Sequence, residues 1–271
     1  MGRQNRVLYL DLLRAAATLM VIMLHLSAQN WAEVDVMSAD WGALNFWNSI
    51  TRWSVPVFFM ISGALFLDPE RTIDTKRLYT VNILRLATAF IFWSLVYALC
   101  GMLYYHYDLL SVLNAFVSGH YHMWYLFTAA GLYMAVPLLR KITEDEKLTK
   151  YYLGISFIFN VVVYTLLSLV GPAIKHHALS TLISALKSDY NFMYLDFFTG
   201  FFFYFVLGHY LRHHEFGKKM RLVLYLLAIA GFFGTVVPEA LISRMNGQPY
   251  GAFYLYLIMN GYAILYSSFS I

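Results

Sequence analysis

Charge is scarce in this chain. Only 13% of its 271 residues are Asp, Glu, Lys or Arg, against roughly 25% in an ordinary soluble domain, so a water-facing surface of normal polarity cannot enclose it. Cysteine is reduced to Cys100. That excludes an internal disulfide, and a lone thiol in an apolar setting reads as packing. There is no low-complexity tract, convincing internal repeat or soluble domain. The Walker A loop, the glycine-rich dinucleotide fingerprint, the HExxH pair and the serine nucleophile elbow are all missing, which removes those soluble-enzyme classes. No metal site is expected. The i, i+2 spacing of His120 and His122 does not put two ligands on one helix face, and no matching carboxylate or cysteine pattern accompanies them.

What is present is hydrocarbon-compatible length. Hydrophobic residues make up 60% of the chain, and its mean hydropathy is +0.59. Apolar stretches of membrane-crossing size fall at 7 to 28, 47 to 67, 82 to 105, 121 to 139, 151 to 171, 194 to 211, 221 to 238 and 250 to 271. The expected fold is all-α, a polytopic transmembrane helix bundle of about eight helices forming one domain over residues 1–271. The sixth and seventh stretches are short and end in glycine or proline. The first is not a cleavable signal peptide in pattern, because it holds Asp11, Arg14 and His25 and lacks a small-residue cleavage site.

Basic residues occupy alternate connections. Arg3 and Arg6 precede the first stretch; Arg71, Lys76 and Arg77 follow the second; Arg140, Lys141, Lys147 and Lys150 follow the fourth; Arg212, Lys218, Lys219 and Arg221 surround the sixth-to-seventh link. The other loops hold only Lys175, Lys187 and Arg244. The positive-inside rule therefore puts the N-terminus in the cytoplasm. This asymmetry accounts for the pI near 9.0 without a separate basic patch, so nucleic acid is not an expected partner and the lipid bilayer is.

The first helix carries the most telling pattern. Arg14 and His25 are eleven residues apart, a separation that leaves them about 20° apart around a helix, and Asp11 falls within about 40° of the same direction. Ionisable groups are costly in hydrocarbon and by default face a bundle interior or a wet cavity, marking a site. Interfacial pairing of Asp11 with Arg14 is the plainer alternative. The second stretch contains Pro56, Ser62 and Gly63, residues that allow bending and close helix approach, and packing alone would require them. The third begins with Lys76 and Arg77 and runs through Asn82 to Arg85; these cations suit either snorkelling or the phosphates of a nucleotide such as coenzyme A. His120 to Tyr125 opens the fourth stretch, where His122 and Trp124 either belong to an aromatic belt or border a sugar. His209, Arg212, His213 and His214 end the sixth, a placement that helix dipole and topology explain. The connection from Gly171 to Asn191 holds an apolar periodic piece, Leu179 to Leu186, that reads as an interfacial loop and could cover an acceptor site.

Taken together, Tyr9-Leu10-Asp11-Leu12-Leu13-Arg14-Ala15, His25, Val55-Pro56-Val57-Phe58-Phe59-Met60-Ile61-Ser62-Gly63, His122-Met123-Trp124-Tyr125-Leu126, Gly131-Leu132-Tyr133 and Pro137-Leu138-Leu139 resemble the acyltransferase-3 family of integral membrane acyltransferases. The resemblance extends over nearly the whole chain, and within the family the chain looks most similar to the enterobacterial common antigen O-acetyltransferase subgroup. It implies a bacterial inner-membrane enzyme that transfers an acyl group, usually acetyl from cytosolic acetyl-CoA, to a hydroxyl of an envelope carbohydrate or lipid-linked glycan. On this resemblance His25 matches the essential histidine, Arg14 its partnered arginine, with Asp11 beside them, and Arg85 the second of an arginine pair with Arg77 nearby. The first of that pair is replaced by Asn82. His122, Trp124 and Ser62 would lie toward the acceptor. Since the family usually has about ten membrane helices, the chain is expected to lack C-terminal ones. Two other classes remain compatible with intramembrane Asp11, Arg14 and His25: a proton-coupled transporter, and a noncatalytic or truncated membrane subunit.

The charge pattern makes a direct prediction. A topology reporter placed after Lys147 should be cytoplasmic and one near Lys187 extracytoplasmic; both on one side would mean that the chain crosses the bilayer an even number of times between them.

Overall fold

The computed structural model of the chain describes residues 8–167 and 177–251. All regular structure among the described residues is helical: α1 (Leu8–Gln29), α2 (Ala39–Thr51), α3 (Ser54–Phe66), α4 (Leu84–Tyr105), α5 (Leu109–Ser118), α6 (Trp124–Thr143), α7 (Glu146–Phe157), α8 (His177–Phe192), α9 (Phe201–His213) and α10 (Lys218–Asn246). Short π turns, Leu78–Ile83 and Ile158–Val163, interrupt the helical runs before α4 and after α7. Six helical runs, two of them with a short break, are long and apolar enough to cross a bilayer, and a seventh arises if Thr181–Phe192 and Leu195–His213, bent by 78°, act as one. The polytopic all-α expectation therefore holds. The expected sixth stretch is one arm of this bent pair, and the expected loop before it is the helix α8. Of the expected eighth stretch, only its first two residues are described.

The chain divides into two compact units, one built from residues up to Asp68 and from Asp145 onward, the other from Pro69–Glu144.

In the first unit α1 turns its Leu10, Leu13, Ala17, Leu24 and Ser27 stripe inward, the three-and-four spacing that makes one helix face. Leu10, Leu13 and Ala17 share a buried cluster with Val57, Met60, Ile61 and Ala64 of α3 and Phe203, Tyr204 and Leu211 of α9. Ser38 starts α2 by accepting from the Trp41 amide at 3.1 Å, a side-chain cap for an otherwise unpaired donor. The α1–α2 turn is fixed by Trp41 Nε1, which donates to Trp31 O at 3.1 Å, and by Arg244 Nε, which donates to Val36 O at 3.2 Å. Pro56 falls in the first turn of α3, where its missing N–H leaves no ladder bond unmade.

The tightest crossing is between α3 and α9. A Cβ on Gly63 would lie 1.8 Å from the Phe205 carbonyl oxygen, and one on Gly208 would lie 2.1 Å from that of Met60. Only glycine allows the two main chains this close, the small-residue packing that substitutes for hydrophobic driving force between membrane helices. Just beyond the crossing, Arg212 NH2 pairs with the buried carboxylate of Asp68 at 3.1 Å, and Arg212 NH1 donates to Ala64 O at 2.8 Å. At its far end α10 buries Gly231, Thr235, Glu239, Ile242 and Ser243. Glu239 Oε1 accepts from Ser243 Oγ at 2.9 Å and from the backbone amides of Tyr250 and Gly251 at 3.2 and 2.9 Å.

The second unit is a helical hairpin. Asp108 caps α5 by accepting from the Ser111 amide at 3.1 Å, and α5 folds back along α4. The run then continues through a break at Gly119–His120 into α6, so that the whole of Leu109–Thr143 forms one apolar passage.

The crossing sets a stability prediction. Gly208→Ala should lower the thermal unfolding midpoint in detergent, at a cost of roughly 1–3 kcal/mol or more, because backbone rather than a movable side chain blocks the new methyl. Gly154→Ala, where a Cβ meets nothing within 4 Å, should be neutral or raise the midpoint slightly through helix propensity. Equal effects of the two would mean that the close crossing does not govern stability.

Candidate active site

On α1, Asp11, Arg14 and His25 each follow an inward-facing position, Leu10, Leu13 or Leu24, by one residue. They therefore lie about 100° round from the core stripe, half-buried along its border. An Arg14 NH group donates to the Asp11 carboxylate at 3.1 Å. This pairing orients the guanidinium while leaving it 42% uncovered, so it is held and still reachable. His25 stands about 16 Å further along the axis by the helical rise. Ser62, half-buried on α3, donates its hydroxyl to Phe58 O at 2.9 Å.

Buried polar residues that the sequence reading did not single out come from α2 and the start of α3. Asn45, Asn48, Ser49, Thr51 and Ser54 are at most 1% exposed, a buried polar seam within an apolar run. Asn45 Nδ2 donates to Val236 O at 3.2 Å, near Pro238 of α10. Arg52, at the break between α2 and α3, donates through Nε to Asn48 Oδ1 at 2.7 Å. The signal was available: an arginine inside the Ala39–Phe66 run, one helical turn after an asparagine. The Asp68–Arg212 pair had no such signal, because its partners are far apart in the chain.

In the second unit, Arg77 and Arg85 are exposed, on either side of the π turn that holds half-buried Asn82. All three sit on one helical passage, Thr75–Tyr105. His122 and Trp124 sit elsewhere in that unit, where the sequence reading had them. The helical run is broken at Gly119–His120, His120 caps the turn Tyr121–Met123, and α6 begins at Trp124, so the segment from His120 opens that helix, although the apolar run as a whole reaches back to Leu109. There His120 Nδ1 and His122 Nδ1 are 2.7 Å apart, which requires one ring to donate and the other to accept. The Tyr97 ring stacks on His120 at 4.4 Å, and its hydroxyl is 3.5 Å from His122 Nε2. His122 is thus gripped at both ring nitrogens, while Trp124 remains 44% exposed. Among the described residues no group of three or more His, Cys, Asp or Glu side chains could hold a metal ion.

A half-buried imidazole, a carboxylate-held guanidinium and a seam of buried amides and hydroxyls, all on membrane-length helices, can move a proton and stabilise charge away from bulk water. The acyltransferase domain family matches residues 7–271. The chain belongs to the acyltransferase-3 family. No curated protein and no solved structure matches it. Arg14 and His25 lie on α1 of the first unit and Arg77, Asn82 and Arg85 on the second; the structure brings Asp11 to Arg14 and His120 to His122. An acyltransferase needs a donor carrying an activated acyl group and an acceptor to receive it, and the residues that fit those needs define the reading below.

Proposed function

We propose that this membrane acyltransferase transfers acetyl from cytosolic acetyl-CoA to a hydroxyl of a cell-envelope carbohydrate or lipid-linked glycan, from a bacterial inner membrane with its N-terminus in the cytoplasm. The observation that carries the reading is the α1 stripe on which Asp11 holds Arg14 at 3.1 Å and His25 follows three turns later. An alcohol is a poor nucleophile at neutral pH, and imidazole, with an unperturbed pKa near 6.5, can accept its proton as the carbon–oxygen bond forms. His25 is that base. The carbon–sulfur bond then breaks, and the proton passes from His25 to the departing thiolate. Arg14, oriented by Asp11, steadies phosphate or developing negative charge.

Arg77 and Arg85 suit the donor nucleotide, since guanidinium binds phosphate with two parallel hydrogen bonds. Both are exposed, as a docking cation must be. Asn82, between them, supplies a neutral amide where the family pattern has a cation, so Arg85 bears more of the contact. His122 and Trp124 suit the acceptor: an imidazole whose orientation is fixed can hydrogen-bond a sugar hydroxyl, and an uncovered indole can stack on its C–H face. Ser62, beside the glycine crossing, is assigned to the acceptor side as well. Basic loops on alternate connections support the orientation.

Two measurements test this. His25→Gln should preserve folding and acetyl-CoA binding but lose acetyl transfer by about a hundredfold or more, because an amide hydrogen-bonds but cannot take a proton at neutral pH; transfer at the parental rate would remove His25 from the mechanism. By calorimetry in detergent, Arg85→Ala should weaken acetyl-CoA binding more than Lys218→Ala does. Parental affinity in Arg85→Ala would refute the donor contact.

A further inference from the structure

Asn48 is fully buried on α2, and Arg52 Nε donates to its Oδ1 at 2.7 Å. A guanidinium donates and never accepts, so this contact decides which end of the side-chain amide is oxygen and leaves Nδ2 as a donor on the other side. Nδ2 has no hydrogen-bond partner among the described residues, nor has the buried hydroxyl of neighbouring Ser49. Buried donors are paired as a rule, because their lost hydration is otherwise not recovered. Within a membrane-length run the surrounding hydrocarbon offers no substitute. The same face does satisfy Asn45, whose amide reaches Val236 O at 3.2 Å. An unmatched donor one turn further on is therefore particular to Asn48 and Ser49.

The depth of that donor is set by two anchors. Trp31 and Trp41 pack with ring centroids 5.8 Å apart and share the Trp41 Nε1 to Trp31 O bond at 3.1 Å. At the other end Ala17 and Val57 belong to one buried cluster. His25 lies six residues before Trp31 and eight after Ala17; Asn48 lies seven after Trp41 and nine before Val57. At about 1.5 Å per residue the two share a level of the antiparallel pair to within roughly one turn.

We propose that Asn48 Nδ2 is the hydrogen-bond donor to the acyl carbonyl oxygen, and that Arg52 is a positioning residue that locks the amide in its donating orientation; this rests on the acyl-transfer reading above. The acceptor hydroxyl oxygen adds to the thioester carbon as His25 takes its proton, and the carbonyl electron pair moves onto oxygen, where the Asn48 N–H meets it. The pair returns as the carbon–sulfur bond breaks, and the thiolate leaves with the proton from His25. A donor already in place needs no reorganisation as that charge develops, which is where such groups have their effect.

The test uses the complete chain in nanodiscs, with acetyl-CoA labelled with carbon-13 at the carbonyl as the probe and an extract of envelope glycans as acceptor. Asn48→Asp keeps an oxygen for Arg52 and nearly the same volume but removes the donor. In the parent, the infrared stretch of the bound thioester carbonyl should lie below that of free acetyl-CoA. In Asn48→Asp and Asn48→Ala it should return toward the free value, with kcat lowered by about 100- to 1,000-fold and KM for acetyl-CoA little changed. Arg52→Met should lower kcat with the same unchanged KM, and Arg52→Lys, still a donor to Oδ1, should recover much of it; a merely structural role would not produce that split. An unshifted stretch and parental kcat in Asn48→Asp would overturn the assignment while leaving acetyl transfer standing. A parent that binds no acetyl-CoA would overturn the donor reading and this inference with it.

Discussion

Main chain touching main chain at the α3–α9 crossing is the contact on which the first unit depends. Gly63 and Gly208 leave no room for even a methyl against Phe205 and Met60, and the closeness brings Arg212 within reach of both the Asp68 carboxylate and the Ala64 carbonyl. The pair and the crossing support each other: the glycines let the charges meet, and the charges add a directional contact to the register that the glycines and the shared cluster set. α1 packs into the shape that results, contributing Leu10, Leu13 and Ala17 to the shared cluster. The border position of Asp11, Arg14 and His25 follows from that docking.

Local features were legible in the sequence and distant ones were not. Apolar length reveals membrane helices because the bilayer fixes how many residues a crossing needs. The Asp11–Arg14 pair is an i, i+3 contact and follows from helix geometry alone. Arg52 and Asn48 are one turn apart and were equally readable, but attention went to Pro56, Ser62 and Gly63 as residues of bending and close packing; Gly63 does pack main chain to main chain, while Pro56 sits in the first turn of α3. The 78° bend between α8 and α9 was not readable, because Leu195–His213 reaches span length and composition only together with Thr181–Phe192, a pairing that the folded chain reveals. Nor was the contact of Tyr97 with His120 and His122. Their aromatic neighbours looked like an interfacial belt, and only the return of α5 along α4 puts Tyr97 against them. The eighth expected stretch lies, but for two residues, outside the described chain.

The polar side chains divide by what they do for each other. Asp11 restrains Arg14, Arg52 restrains Asn48, and Tyr97 and His120 restrain His122. In each case one group is committed to the protein and a second is thereby held in one orientation. That division suits chemistry in a medium of low dielectric, where an oriented dipole acts strongly and a loosely held one is a cost.

The glycine crossing also constrains how the chain is made. Ala64 and Arg212 are 148 residues apart, and at roughly 5–20 residues per second of synthesis the ribosome needs on the order of 10–30 s to deliver α9 after α3 has emerged. Throughout that interval α3 carries a backbone notch at Gly63 and an acidic end at Asp68 without the helix that covers them. The early hairpin of α1 with α2 and α3 therefore waits for α9 before its notch and its acidic end are covered, which makes the arrival of α9 the step that commits α3 to its final packing.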